Sequence, residues 1–333
     1  MTVAAPAVWP RLDDVIDPIR EIVEGAHQIS CLAHRDADAD SLGSALGFAL
    51  ALRSPRRRVR VVVPEPLPRL LEYLPGFETV ETGGEPLGDT VFTFDCATLT
   101  RFGERRTEVE RAATVVNIDH HPSNTAFGSI NLVDASASAT GQVVHKLLGL
   151  LGAPISAAVA TNLYAALLTD TGGFRHENTT EAALRLGASL VSAGADPAWV
   201  ALKSFKSRSL SQVRLEGLSI AGMRAELDGR LLWSEVTGVM LDQSGADMQE
   251  SEGIIDALQS IATMEIAILF KETAPDRTKI SVRTREPFDA TDVCTPFGGG
   301  GHRRAAGAEI GEPLPDSRRH VLEIARRLIE SAR

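Results

Sequence analysis

The chain has 333 residues, which is long enough for two domains of ordinary size and a sizeable hydrophobic core. Hydrophobic residues make up 44% and charged residues 23%, which excludes a disordered or fibrous chain. The formal net charge of -10 argues against a broad basic surface for long nucleic acid. The three cysteines are odd in number and lack metal-type spacing, which argues against a disulfide framework or a zinc ribbon.

The chain also lacks the sequence features of a membrane or secreted protein. Residues 1–11 contain no basic segment followed by an apolar one. Later apolar stretches are shorter than the roughly 18 uninterrupted residues that a membrane helix needs. We therefore expect a cytoplasmic protein without a membrane segment.

The first half of the chain alternates between two hydrophobic periodicities, one typical of strands and one of helices. The predicted strands are 29–33, 58–63, 90–94 and 114–118, and the predicted helices are 15–26, 41–53, 141–151, 155–168 and 182–192. This alternation predicts an α/β fold with a mostly parallel sheet and flanking helices. Ligands of such sheets bind outside the carboxyl ends of the strands.

The second half begins with a helical stretch, 197–223, that is rich in Lys and Arg. Asp228-Gly229 predicts a hairpin, and a smaller α/β domain follows. Its predicted elements are a helix at 254–261, strands at 266–270 and 279–284, a glycine loop at 298–302 and a helix at 318–331. We predict domains at 1–195 and 225–333, joined by a helical connector at 196–224.

Residues 34–40 carry three aspartates that are spaced two apart. Two such charges 4 Å apart repel by about 4 kcal/mol at an effective dielectric near 20, so a cation is expected between them. An exposed acidic loop is disfavoured because a predicted strand precedes the segment and an apolar helix follows it. A calcium loop of the EF-hand type fails because Ser41 replaces the turn glycine and Gly47 replaces the bidentate glutamate.

Three further stretches place acidic or imidazole side chains after hydrophobic segments. They contain Asp95, Asp119-His120-His121 and Asp170. Taken singly, Asp95 and Asp170 could be ordinary caps. Together with the aspartates of 34–40 they supply enough ligands for two divalent metals, which lie about 3.5–4 Å apart in sites that activate water against a phosphate ester. Ligands without thiolate favour Mn²⁺ or Mg²⁺ over Zn²⁺.

A glycine run, 298–301, precedes His302 near the end of the chain. It predicts either a flexible turn or a cradle whose backbone amides bind a phosphate. Arg283 follows a short apolar strand and is either a surface residue or a fork-shaped ligand for a terminal phosphate.

These motifs resemble those of the DHH phosphoesterase superfamily, in particular its branch of short oligoribonucleases and pAp phosphatases. The family motif His-x-x-Pro-Asp-x-Asp-x-x-Gly-Ser is matched at 34–44, with Ala37 in place of the usual proline. Asp95, the triplet at 119–121 and Asp170 match the next three motifs, and 299–302 matches the glycine-histidine signature of the C-terminal associated domain.

The resemblance implies a dinuclear metal site bridged by Asp95. The two metals would be held by the following side chains: His34, Asp38 and Asp95 for one, and Asp40, Asp95, His120 and Asp170 for the other. Two divalent ions are expected, Mn²⁺ first and Mg²⁺ as the alternative.

The resemblance also implies roles for residues around the metals. His121 would face the substrate phosphate as an acid or a phosphate ligand, and Asp119 would orient it. The expected substrate-binding residues are Arg283, Gly300, Gly301 and His302. A helical connector separates the metal motifs from the glycine loop, and from this separation we expect a cleft between the two domains that measures the length of the substrate.

The implied function is metal-dependent hydrolysis of short oligoribonucleotides, linear dinucleotides such as pApA and pGpG, and bisphosphonucleosides such as pAp. The partners are thus a short RNA or a nucleoside bisphosphate, and a homodimer is expected from the family. One alternative is a single-strand exonuclease, against which stand the acidity and the 5% aromatic content. A second alternative is a non-catalytic nucleotide sensor, although every expected ligand position is occupied.

Overall fold

The computed structural model describes residues 12–332 and divides the chain into two compact units, Met1–Ser207 and Arg208–Arg333. The division lies within 196–224, the stretch that we predict to be a connector. The helices of the first unit are α1 (Leu12–Gly25), α2 (Ala39–Leu52), α3 (Arg106–Arg111), α4 (Thr140–Leu150), α5 (Ala157–Asp170), α6 (Glu181–Ser192) and α7 (Pro197–Phe205). Its strands are β1 (Gln28–Ala33), β2 (Arg58–Val62), β3 (Val80–Glu81), β4 (Thr90–Phe94), β5 (Thr114–Asp119) and β6 (Ile130–Val133).

The strands of the first unit form one parallel sheet in the order β3-β2-β1-β4-β5-β6. The predicted α/β class is therefore confirmed. Strand order reverses between β1 and β4, and such a switch point opens a crevice at the carboxyl ends of the two strands. His34 follows β1 and Asp95 follows β4, so the predicted metal ligands surround this crevice.

Helices α2, α4 and α5 pack closely against one another, because glycines, which have no side chain, lie at their contacts. A Cβ on Gly43 of α2 would lie 2.7 Å from the carbonyl oxygen of Asn162 in α5. A Cβ on Gly141 of α4 would lie 2.7 Å from the Cβ of Ala166, also in α5. These contacts hold the N-terminal parts of α2 and α4 against the middle of α5.

The second unit has one mixed sheet between two hydrophobic clusters. Its strands are β7 (Arg224–Glu226), β8 (Leu231–Val236), β9 (Ile266–Ala274), β10 (Arg277–Thr284), β11 (Gly300–His302) and β12 (Ala305–Ile310), and its helices are α8 (Leu210–Ala221), α9 (Gly238–Ser244), α10 (Ile254–Gln259), α11 (Ala290–Cys294) and α12 (Leu314–Ser331). The sheet order is β11-β12-β10-β9-β8-β7, and the β8–β9 pair is parallel. One cluster includes the buried hydrophobic residues of α12, and the other includes those of α8 and α10.

Several predicted elements need correction. The helical stretch 197–223 is two helices, because Ser209 accepts a hydrogen bond from the amide of Gln212 and caps a new helix, α8. The glycine stretch at 298–302 is not all loop, since Gly300–His302 pairs with β12 as a strand. Helix α2 begins at Ala39 and not near Ser41, because Asp38 is its N-cap.

The hairpin predicted at Asp228-Gly229 is confirmed by the antiparallel pairing of β7 with β8. Among the described helices, none has both the length and the apolar character that crossing a membrane requires.

Candidate metal centre

The structure brings together all of the predicted metal ligands of the first unit. The strand ends supply His34, Asp95 and His120, and the helices supply Asp38, Asp40 and Asp170. Asp38 caps α2, Asp40 lies in its first turn, and Asp170 is the last residue of α5. The ligands come from five elements that meet at one edge of the sheet.

The first group of donors surrounds the Nε2 atom of His34. This atom lies 3.5 Å from Oδ2 of Asp95 and 4.0 Å from Oδ2 of Asp38. The other ring nitrogen, Nδ1, is 2.8 Å from the carbonyl oxygen of Arg35. Because a carbonyl only accepts, Nδ1 carries the proton and Nε2 carries the lone pair that a metal needs.

The second group of donors surrounds the Nε2 atom of His120. The nearest carboxylate oxygen is Oδ1 of Asp95 at 3.4 Å. Oδ2 of Asp40 and Oδ2 of Asp170 each lie 3.7 Å away. Asp95 thus presents one oxygen to the His34 group and the other to the His120 group, which is the arrangement expected of a bridging carboxylate.

The N-terminus of α4 fixes two of these carboxylates. The amides of Thr140 and Gly141 donate to Asp40 at 2.7 and 2.9 Å. The hydroxyl of Thr140 donates to Oδ1 of Asp95 at 2.9 Å. Exposed amides and the helix dipole both favour negative charge at this position.

A buried hydrogen-bond network contacts His121 at its Nδ1 atom. Nδ1 of His121 lies 2.8 Å from Oδ1 of Asp119, and Asn124 donates to Oδ2 of the same carboxylate at 2.6 Å. Asn117 in turn donates to Asn124 at 3.1 Å. The network fixes the ring of His121 and leaves its Nε2 on the side away from Asp119.

The crowding of buried carboxylates shifts the pKa values of the cluster in opposite directions. Burial, followed by the charge of Asp95, raises the pKa of Asp40 well above its ordinary value. Burial and neighbouring carboxylates also raise the pKa of Asp170, to about 6. Burial opposes the ionisation of Asp95, but the adjacent imidazoles of His120, His34 and His121 bring its pKa well below the ordinary value.

The two histidines of the triplet respond to the same charges. Burial lowers the pKa of His120, but Asp95 and Asp170 outweigh it and raise the pKa well above 6.5. Burial also lowers the pKa of His121, and Asp119 outweighs it, so that this pKa is raised as well.

The donor set fits divalent metals. The groups His34/Asp38/Asp95 and Asp40/Asp95/His120 each have three ligand atoms within 4.8 Å of one another. Carboxylate oxygens with imidazole nitrogens suit a hard or borderline divalent cation. Such a cation would also offset the repulsion between the buried carboxylates that the raised pKa values of Asp40 and Asp170 reflect.

The predicted substrate-binding residues lie in the second unit. Ala305 of β12 pairs with Arg283 of β10 on one side and with His302 of β11 on the other. Directly paired residues point to the same face, so Arg283 and His302 flank a small alanine in one row. Val282 points to the opposite face, into the hydrophobic cluster under α12. The structure therefore places two of the predicted phosphate ligands together.

Sequence reasoning missed several residues of the site. Thr140, Asn124 and Arg101 all contact predicted site residues. Thr140 could have been found as the start of a helix that follows a strand carboxyl end. Asn124 lies in a loop and Arg101 in a short helical turn, where spacing alone does not indicate a partner.

Sequence comparisons place the chain among known proteins. The description "DHH family, N-terminal domain" matches residues 28–167, and "DHHA1 domain" matches residues 229–331. A bifunctional oligoribonuclease and PAP phosphatase NrnA from Thermus thermophilus is 32% identical over 324 residues, which cover 96% of this chain and 95% of the relative. The chain belongs to the DHH family. It is a phosphoesterase of that family, as the motifs at 34–44 and 119–121 predict.

Two further comparisons also cover most of the chain. A bifunctional oligoribonuclease and PAP phosphatase NrnA from Bacillus subtilis is 25% identical, covering 83% of this chain and 87% of the relative. An exopolyphosphatase-related protein from Bacteroides fragilis has a similar crystal structure, with a TM-score of 0.84 and 25% identity. That likeness covers 94% of this chain and 95% of the other, so the fold is shared along nearly the whole length.

Proposed function

We propose that this DHH-family phosphoesterase hydrolyses short oligoribonucleotides, linear dinucleotides such as pApA and pGpG, and 3',5'-bisphosphonucleosides such as pAp. The observation that carries the proposal is the placement of Asp95 between two separate donor groups, with one oxygen toward each. The near full-length similarity to proteins named bifunctional oligoribonuclease and PAP phosphatase supports the substrate class.

The cofactor in this proposal is a pair of divalent metals, Mn²⁺ in the first place. His34, Asp38 and Asp95 would hold one ion, and Asp95, Asp40, His120 and Asp170 would hold the other. Such ions supply an activated water and neutralise charge that develops on the phosphoryl group. The open side of the site is at Asp38, whose side chain is 61% exposed, whereas Asp40 and Asp95 are buried.

The protein side chains orient the substrate and move protons. His121 donates a proton to the leaving oxygen from Nε2, because Asp119 fixes Nδ1 and raises the pKa of the ring. Arg283 and His302 bind the far phosphate or the sugar, and Gly300 and Gly301 line that pocket. A fork-shaped guanidinium suits a terminal phosphate.

A substrate panel tests the proposal. The full-length chain, supplemented with Mn²⁺, is given pAp, pApA, pGpG, a 20-nucleotide RNA and pyrophosphate, and products are resolved by size. The proposal expects AMP from pAp and mononucleotides from the dinucleotides, at rates well above that on the long RNA. Preference for the long RNA would indicate an exonuclease instead, and binding of pAp without any product would indicate a sensor.

A further inference from the structure

Arg101 contacts the His34 donor group from outside the expected ligand set. It follows β4 in the helical turn Leu99–Arg105. Its Nη2 atom lies 3.0 Å from Nδ1 and 3.1 Å from Nε2 of His34. A donor that is almost equidistant from both ring nitrogens cannot lie in the ring plane, because Cε1 stands between them. The guanidinium therefore lies over the face of the imidazole.

This position leaves the metal-binding lone pair of His34 available. Nδ1 donates to the carbonyl of Arg35, so the lone pair belongs to Nε2 and lies in the ring plane. The carboxylate oxygens of Asp95 and Asp38 lie 3.5 and 4.0 Å from this Nε2 atom. Arg101 is thus beside the donor group and not inside it, and a cation at Nε2 does not require its removal.

The backbone holds Arg101 in place while its side chain stays accessible. The carbonyl of Arg101 accepts from the amide of Arg35 at 2.8 Å, and its amide donates to the carbonyl of Thr98 at 3.2 Å. The next residue, Phe102, is fully buried. Arg101 itself is exposed, as is Asp38, and both contact the ring of His34. A fixed backbone with an accessible guanidinium is the geometry of a ligand-binding arginine.

The negative charge of the site favours a phosphate-binding role for the guanidinium of Arg101. Five aspartates form the cluster, at positions 38, 40, 95, 119 and 170, and a phosphate ester adds further negative charge. Two divalent ions offset only part of that charge. A guanidinium presents two parallel donors that match phosphate oxygens, and it stays charged throughout the pH range of activity.

We propose that Arg101 is a substrate ligand that binds a non-bridging oxygen of the scissile phosphate and stabilises the charge of its transition state. The inference rests on the proposed function, since it assigns a further residue to the same site. The competing explanation is that Arg101 only packs on His34 and holds the ring in place.

The experiment compares Arg101→Ala and Arg101→Lys with Arg106→Ala, an exposed arginine of the adjacent helix α3 that pairs with Glu110. Three quantities are measured on the full-length chain: kcat and KM for pAp, Mn²⁺ affinity from the electron paramagnetic resonance signal of free Mn²⁺, and affinity of the Mn²⁺-loaded protein for inorganic phosphate.

We expect Arg101→Ala to lower kcat/KM by about 100-fold, the usual effect of removing one donor to a developing oxyanion. Phosphate affinity should fall about tenfold, as for the loss of one charge-assisted hydrogen bond. Mn²⁺ should bind as tightly as in the wild type or more tightly, because a like charge has been removed from beside the site. Lysine should recover part of the activity, added guanidinium should partly rescue the alanine variant, and Arg106→Ala should match the wild type.

The opposite result is a loss of Mn²⁺ affinity that accounts for the loss of activity, which would mean that Arg101 only positions His34. Unchanged activity and phosphate affinity in Arg101→Ala would also overturn the inference. If the wild type hydrolyses neither pAp nor pApA, the proposed function fails, and phosphate affinity still decides whether Arg101 binds phosphate.

Discussion

Replacing Asp95 with Asn removes the carboxylate that both donor groups share, while it preserves the shape of the side chain. In the structure Oδ2 of Asp95 faces His34 and Oδ1 faces His120, at 3.5 and 3.4 Å. Asparagine retains one carbonyl oxygen, which can still accept the hydroxyl hydrogen of Thr140. The substitution therefore removes charge and one ligand atom without opening a cavity.

The size of the effect follows from the number of metals affected. Losing an indirect partner of a metal ligand costs about 10–100-fold in affinity, so losing a direct ligand costs each metal at least about 100-fold. With two metals affected, the combined loss is about 10⁴-fold, or roughly 5 kcal/mol at 1.36 kcal/mol per factor of ten. We expect kcat/KM for pAp to fall by at least this factor at a fixed Mn²⁺ concentration.

Thermal unfolding provides a readout that is independent of turnover. A ligand at 100 times its Kd stabilises the folded state by about 2.7 kcal/mol. For a unit of 207 residues this corresponds to a rise in Tm of about 5–10 °C for each metal. Wild-type protein should show this rise with Mn²⁺, and Asp95→Asn should not.

Asp134→Asn is the matched control. Asp134 follows β6, which is two strands from β4 in the same sheet, and its carboxylate pairs with Lys146 at 3.0 Å. This variant should keep its activity and its Mn²⁺-dependent rise in Tm. If Asp95→Asn retained more than about a tenth of wild-type activity together with the full rise in Tm, the bridging role would be refuted.

Three further predictions follow from individual contacts. Asp119→Asn should reduce kcat about 10–100-fold. The reduction should be stronger at pH 8 than at pH 6, because the Asp119 carboxylate raises the pKa of His121. A pH–rate profile equal in shape to that of the wild type would contradict this role. Glu81→Gln should lower the free energy of unfolding at pH 7 by about 2 kcal/mol, since Glu81 binds the buried Arg60. Glu72→Gln, at the exposed pair with Arg69, should have little effect. Arg60 lowers the pKa of Glu81 below 4.5, so this contribution is present above that pH and is lost as the pH falls through the folded-state pKa. Urea unfolding should therefore show a smaller difference in free energy between Glu81→Gln and the wild type at pH 4 than at pH 7. Gly299→Ala should destabilise the second unit by about 1–3 kcal/mol, because the added Cβ would lie 2.2 Å from the carbonyl oxygen of Gly307. Gly300→Ala is the control, since its added Cβ would meet nothing within 4 Å. Equal unfolding midpoints for the two variants would contradict this packing.

Much of the first unit could be predicted because three of the ligand motifs lie at the carboxyl ends of buried strands, while Asp170 ends a helix. In parallel sheets, strand ends meet at one edge, so hydrophobic runs that end at His34, Asp95 and Asp119 are sufficient to bring these residues together. The sequence before these motifs therefore predicts where in the fold they lie.

The residues that were missed depend on contacts that no local pattern encodes. Thr140 reaches Asp40 and Asp95 only because α4 packs on α5 through Gly141. Arg101 lies over His34 because its turn is tied to Arg35 by a backbone hydrogen bond. Short strands such as β11 form only when a partner, here β12, supplies the hydrogen bonds.

The most direct test of the bridged two-metal site is the electron paramagnetic resonance spectrum of the chain loaded with Mn²⁺. A carboxylate shared by two metals predicts two ions per chain and an exchange-coupled dinuclear signal, which Asp95→Asn should abolish. One ion per chain, or a spectrum of uncoupled Mn²⁺ in the wild type, would contradict it.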